Sequence, residues 1–211
     1  MKKTGTTLFG NELDSRPKAL SIIYALAATV DAKDSYTYGH SRKVSEYAVL
    51  MGETMKFPVE KISVLRTAGL LHDIGKVGVP DAILAKKSAL TGEEWNPIRT
   101  HPELGVEILK HVLELQNCLP AIRHHHEHYD GSGYPDGLKT ASIPIEARIL
   151  SIADSYDAMT SPRPYRAQHT LEDALLELRR CAGTQFDPDL VEIFCTIMQP
   201  HLLKEREEKQ Q

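Results

Sequence analysis

An all-α helical bundle is the fold class that this 211-residue chain predicts. Three observations carry it: apolar residues recur at three- and four-residue spacing, helix-capping pairs stand ahead of such runs, and no alternating β-branched run is bounded by turn residues on both sides. Leu20, Ile23, Ala27 and Val30 form the first stripe, Val44, Ala48, Met51 and Met55 the second, and Ile62, Leu65 and Ala68 the third. Each marks the buried face of an amphipathic helix. Thr91 with Glu94 reads as a capping box, and Thr170 with Asp173 opens the run Leu171, Ala174, Leu175 and Leu178 in the same way. The segment from Asp187 to Met198 is helical again. Glycine and proline cluster at 75–80, at 131–137 and at Pro162 and Pro164, so the helices break there. Each break follows His or Asp residues, and loops leaving helix ends are where a bundle builds its site.

A chain of this length buries one substantial core, so one domain and one site are expected. Residues 1–33 read as an N-terminal helical segment packing on a main domain of residues 34–199, with a polar tail at 200–211. Hydrophobic residues at 41% and charged residues at 26% are the balance of a soluble globular protein, not of a disordered chain. The net charge of −4 leaves no basic field to attract a nucleic acid polymer, so any phosphate recognition must be local. Cys118, Cys181 and Cys195 are odd in number and have no C-x-x-C spacing, which argues against a disulfide framework or a thiolate zinc site and fits the cytoplasm. Ala19 to Val30, the longest apolar stretch, is shorter than the roughly 20 residues of a membrane span. Met1-Lys2-Lys3 is not followed by a signal-peptide hydrophobic region, so neither membrane nor export is expected.

Six of the ten histidines fall between His101 and His128: His101, His111, His124, His125, His126 and His128. Imidazole is the commonest protein ligand for transition metals, and a carboxylate supplies charge and can bridge two ions. His72-Asp73 ends the apolar run Ala68-Gly69-Leu70-Leu71 and offers two ligands at a helix end. Asp154 follows Ile149-Leu150-Ser151-Ile152-Ala153, where an acid is costly unless paired or coordinated. Any one of these histidines alone is more simply a surface or core residue, and Asp154 alone a buried salt bridge. The mixed nitrogen and oxygen set is what points to metal.

His72-Asp73-Ile74-Gly75-Lys76 resembles the HD motif of the HD phosphohydrolases, and His125-His126-Glu127-x-x-Asp130-Gly131-x-Gly133-Tyr134-Pro135 resembles the signature of their HD-GYP branch. The likeness runs in order from about Asp34 to Arg166, through Gly39-His40-Ser41, His101-Pro102, Ile152-Ala153-Asp154-x-Tyr156-Asp157-Ala158 and Arg163-Pro164-Tyr165-Arg166. It implies a bundle of the HD phosphohydrolase type with the GYP loop beside the metal site. It implies metal ligation by His40, His72, Asp73, His101, His125, His126 and Asp154, with Asp73 bridging two divalent ions. With no thiolate and open positions left for water and phosphate, Fe or Mn suits this set better than structural zinc.

The resemblance further implies a phosphodiesterase that opens cyclic di-GMP to linear pGpG, with GMP as an open further product and a metal-bound hydroxide as nucleophile. Lys76 is expected to follow His72 on one helix face and reach a substrate phosphate, so that Asp73 and Lys76 are the catalytic candidates. Tyr134, Arg163 and Arg166 are the matching substrate contacts, the arginines because a planar guanidinium fits phosphate or guanine. Implied partners are cyclic di-GMP, a regulatory protein at the GYP loop and a second copy of the chain. Two ions are expected because Tyr36 stands where some HD-GYP proteins carry a third-metal glutamate, and a phenol with pKa about 10 is a poor ligand. The alternatives are a signalling module that binds a cyclic dinucleotide without turnover, and a phosphohydrolase acting on a different cyclic dinucleotide.

Overall fold

The computed structural model describes residues 15–33, 39–161 and 169–208, and among them the expected all-α architecture holds. Tyr36, Asp34, Arg163 and Arg166 lie outside the described residues. The helices are α1 (Ser15–Lys33), α2 (His40–Thr54), α3 (Val59–Leu71), α4 (Asp81–Leu84), α5 (Gly92–Arg99), α6 (His101–Leu109), α7 (Leu119–His124), α8 (Ile145–Thr160), α9 (Leu171–Arg180) and α10 (Pro188–Glu208). α10 crosses the boundary expected at 199/200 as one continuous helix. Short 3-10 turns occupy Ile74–Gly78, Leu113–Cys118 and Thr140–Ser142. The only extended pairing among the described residues is an isolated bridge between Ala182 and Phe186. None of these helices is long and apolar enough to cross a membrane.

α8 is the axis of the bundle. Ile149, Leu150, Ile152, Ala153 and Tyr156 are fully buried on one side, and Ala147 and Ser151 are buried on the other, the pattern of a helix enclosed nearly all round. α2 packs against it and buries Val44, Ala48 and Met51, and Tyr47, Tyr156 and Phe194 meet edge to face where α2, α8 and α10 converge. α2 and α3 touch backbone to backbone, because a Cβ on Gly69 would lie 2.6 Å from the Ser45 Cα. That close approach sets the ends of both helices, where His40 and His72 stand, side by side.

Polar caps fix the helix starts that matter. Thr91 accepts from the Glu94 amide while the Glu94 carboxylate accepts from the Thr91 amide, which completes the expected capping box. Thr170 likewise accepts from the Asp173 amide. The start of α2 is held from a distance: Asp31, near the end of α1, accepts from the Gly39 amide at 3.1 Å and from the Ser41 hydroxyl at 2.6 Å.

Candidate metal centre

Four helix ends deliver the histidines. His40 opens α2, His72 caps the end of α3, His101 opens α6, and His125 and His126 follow the end of α7. Three of them are oriented by one local device. His72 Nδ1 donates to the Gly69 carbonyl at 2.8 Å, His101 Nδ1 to Ile98 at 2.6 Å and His125 Nδ1 to Ile122 at 2.7 Å, each three residues back. A backbone carbonyl accepts only, so the proton sits on Nδ1 and the Nε2 lone pair faces inward.

The inward atoms converge on Asp73. Its Oδ1 lies 3.2 Å from His101 Nε2, while its Oδ2 faces His72 Nε2 at 3.4 Å and His40 Nε2 at 3.9 Å. Asp73, His101, His125 and His126 bring one ligand atom each within 4.8 Å of one another, and His40, His72 and Asp73 do the same. The two groups share Asp73 and divide its oxygens. Asp154 joins the second group, with Oδ1 3.2 Å from His40 Nε2.

Two observations show that this donor set suits cations. The Nε2 atoms of His101 and His125 stand 3.4 Å apart although the Nδ1 bonds leave both with lone pairs, and the fully buried His72 Nε2 has no hydrogen-bond partner. Facing lone pairs and a dry acceptor are unfavourable until a positive charge lies between them. Titration follows the same map. Burial, reinforced by neighbouring histidines, lowers His125 well below its usual range and lowers His126 to about 3, so both rings remain neutral, ligand-competent imidazoles at pH 7. Burial acts to raise Asp73, but Lys76 and His72 outweigh it and hold the carboxylate well below its ordinary value. Burial would also lower His40, yet its hydrogen bonds to Asp154 and Asp157 raise it to about 10. A cation held at His40 Nε2 would take the place of that proton.

The structure brings together all seven expected ligands, and it corrects the placement of Lys76. α3 stops at Leu71, so Lys76 does not follow His72 along an α-helix. It lies in the 3-10 turn Ile74–Gly78, and its ammonium donates to Asp73 Oδ2 at 2.7 Å. Gly75 permits this course, since a Cβ there would collide with the backbone of α6. Tyr134 lies in the loop after α7, its ring stacked on that of His126 with centroids 4.9 Å apart.

Sequence reasoning assigned no role to Asp157 or Glu127. Asp157 Oδ2 accepts from His40 Nδ1 at 2.7 Å, an outer carboxylate that fixes the ring. Its signal was a second acid one turn after Asp154 on the same buried helix. Glu127 is 2% exposed and its carboxylate accepts from the amides of Asp136 and Leu138. His111 is exposed, His128 bonds Ser132, and His124 turns away from the centre to Pro120 O and Asp136. His125→Ala is therefore expected to remove most bound metal, whereas His124→Ala leaves metal content within about twofold; equal losses by elemental analysis would place the register one residue off.

The chain belongs to the HD domain family, whose model matches residues 25–190. It falls among the phosphodiesterase relatives that its HD-GYP signature implied. It is 38% identical over 185 residues to the cyclic di-GMP phosphodiesterase response regulator RpfG of Xanthomonas campestris, covering 86% of this chain and 48% of that protein. It is 36% identical over 185 residues to the 3'3'-cGAMP-specific phosphodiesterase 2 of Vibrio cholerae, covering 86% of this chain and 35% of that one. The chain thus spans about a third to a half of the length of these relatives. The fold is similar to that of the V. cholerae cyclic GMP-AMP specific phosphodiesterase V-cGAP3, with a TM-score of 0.68 at 19% identity over 84% of this chain and 48% of that one. It is also similar to the L. monocytogenes PgpH HD domain in complex with cyclic-di-AMP, with a TM-score of 0.59 at 20% identity over 86% and 95% of the two chains.

Proposed function

We propose that this chain is a metal-dependent phosphodiesterase of cyclic dinucleotides, that cyclic di-GMP is its substrate, and that linear pGpG is the first product. The observation that carries the reading is the division of Asp73, one oxygen toward His101 and the other toward His72 and His40. A carboxylate so placed suits two divalent cations about 3.5 to 4 Å apart, the spacing of two-metal phosphodiester cleavage. His40, His72, Asp73 and Asp154 would hold one ion, and Asp73, His101, His125 and His126 the other. When bound, the pair of ions, Fe or Mn, supplies Lewis acidity and lowers the pKa of a water.

The remaining steps fall to the protein. The buried, neutral imidazoles of His125 and His126 would donate lone pairs without first losing protons, whereas His40 would exchange its proton for an ion. Lys76, beside Asp73, offers a point charge to a non-bridging phosphate oxygen. Tyr134 lines the same side as His126 and presents a ring to a guanine base. Arg163 and Arg166 complete the reading through their sequence position after Asp154. The double variant Arg163→Ala/Arg166→Ala is expected to weaken cyclic di-GMP binding about tenfold or more with bound metal unchanged, measured by calorimetry with a non-hydrolysable analogue. Unaltered affinity would remove both arginines from the site. Ser132 and Gly137, on the exposed side of the loop, leave a surface for the regulatory protein partner, and the free cysteines fit a cytoplasmic setting.

A second substrate has a specific observation behind it, because relatives specific for 3'3'-cGAMP are as similar, at 36–37% identity, as those named for cyclic di-GMP. The deciding experiment incubates purified chain, loaded anaerobically with Mn(II) or Fe(II), with cyclic di-GMP, 3'3'-cGAMP and cyclic di-AMP, and separates products by chromatography. Cyclic di-GMP is expected to be consumed fastest, with pGpG accumulating first. Faster loss of 3'3'-cGAMP would move the assignment to that substrate, and binding without turnover at full metal content would make the chain a signalling module.

A further inference from the structure

The loop after α7 carries Tyr134 and has no regular hydrogen-bonding ladder, so something else must fix where that ring stands. Backbone amides in such a loop need partners if they are buried. Two of them, Asp136 N and Leu138 N, donate to Glu127, one to each carboxylate oxygen, at 2.7 and 3.1 Å. Glu127 is buried to 2% exposure and directly follows His125 and His126. Its neighbourhood leaves no slack: a Cβ on Gly133 would lie 2.2 Å from His128 N, 2.5 Å from His126 O and 2.6 Å from the Glu127 Cα. The loop backbone is therefore pressed onto the segment that bears the ligands, and the Tyr134 amide donates to His126 O at 3.2 Å.

We propose that Glu127 is a positioning residue for the substrate wall: its carboxylate draws residues 133–138 over the metal ligands and so sets where the Tyr134 ring stands above His126. The inference rests on the reading that this centre binds and cleaves a dinucleotide. A second anchor exists, the Asp136 side chain held by Arg123 at 2.8 and 2.9 Å and by His124 at 2.9 Å, but it is partly exposed and ties the loop at Asp136 alone, whereas Glu127 takes amides on both sides of Gly137. The buried carboxylate adds its own hold, because charge-assisted bonds to amides in a dry setting exceed neutral ones. Both oxygens must accept. Glutamine in this place offers one acceptor and one donor, and the donor would face an N–H.

The test uses the metal-loaded full chain and has two independent arms. Hydrogen exchange resolved by NMR reads the Asp136 and Leu138 amides: in the wild type both are expected to exchange at least tenfold more slowly than the amide of the exposed Gly137 between them, and exchange at that neighbour's rate would overturn the proposal whatever the substrate is. Glu127→Gln is expected to raise KM for the cyclic dinucleotide about tenfold while kcat falls much less and two-ion loading persists, the loss of one charge-assisted bond. In a Tyr134→Ala background the same substitution should add less than about twofold, since it acts through that ring. Full additivity, or a fall in kcat with unchanged KM, would show that Glu127 does not position the wall. Failure of the wild type to turn over any dinucleotide would count against the proposed function, while the exchange arm still reports on Glu127.

Discussion

Asp73→Ala is expected to abolish hydrolysis, by about 10³-fold or more, and to take bound metal from two ions per chain to nearly none. The size of the effect follows from the position of the carboxylate. Each of its oxygens serves a different histidine group, so its loss removes the only negative charge shared by both. Five imidazoles and the Lys76 ammonium would then surround one space with Asp154, and Asp157 behind His40, to balance them. Elemental analysis after anaerobic purification, together with the product assay, checks both halves. Wild-type loading with retained turnover would refute the bridge, and a third fully occupied ion in the wild type would refute the count of two drawn from Tyr36.

Gly75→Ala is the other large effect. A Cβ at this position would lie 1.8 Å from the His101 carbonyl oxygen and 2.7 Å from the Gly105 amide nitrogen, both backbone atoms of α6. Backbone cannot rotate out of the way as a flexible side chain can. Relief requires the 3-10 turn to separate from α6, which draws Asp73 away from His101. The expected cost is about 3 kcal/mol, or a fall in melting temperature of roughly 6 to 12 °C, with weakened metal retention. Thermal unfolding followed by circular dichroism, with and without Mn(II), measures it. Melting and loading like the wild type would show that the turn tolerates a side chain here.

Much of this arrangement was legible in the residues, for reasons that differ by element. The stripes through Ala27 and Val30, through Val44, Ala48 and Met51, and through Leu65 and Ala68 are buried as their spacing implied, because helix period and core-facing side are the same fact seen in sequence. The Thr91 cap was legible because both of its bonds are local. The 3-10 turn that relocates Lys76 was not, since it depends on how closely Gly75 meets a helix that follows it by some 25 residues in sequence. Asp157 and Glu127 escaped for a related reason. A carboxylate that orients a ring or gathers loop amides declares itself only when its partners are near, and His40 and Asp157 stand 117 residues apart. His40 itself entered through resemblance, as no local pattern distinguishes it from a surface histidine at a helix start.

The repeated bond from a histidine ring to the carbonyl three residues behind it has a consequence for how such a centre can vary. Each ligand takes its bearing from the turn of chain immediately before it, not from its neighbours across the cavity. Beyond the Gly75 turn and the helical turn that ends at Ile98, the segments between α3, α6 and α7 are thereby released from any duty to aim the rings, and can lengthen, shorten or change composition as long as the helix ends stay packed. What must be inherited intact is a small unit, a closing helical turn with histidine at its rim, used three times over. A centre assembled from such units can keep its ligand geometry while the surface around it is rebuilt for a different substrate.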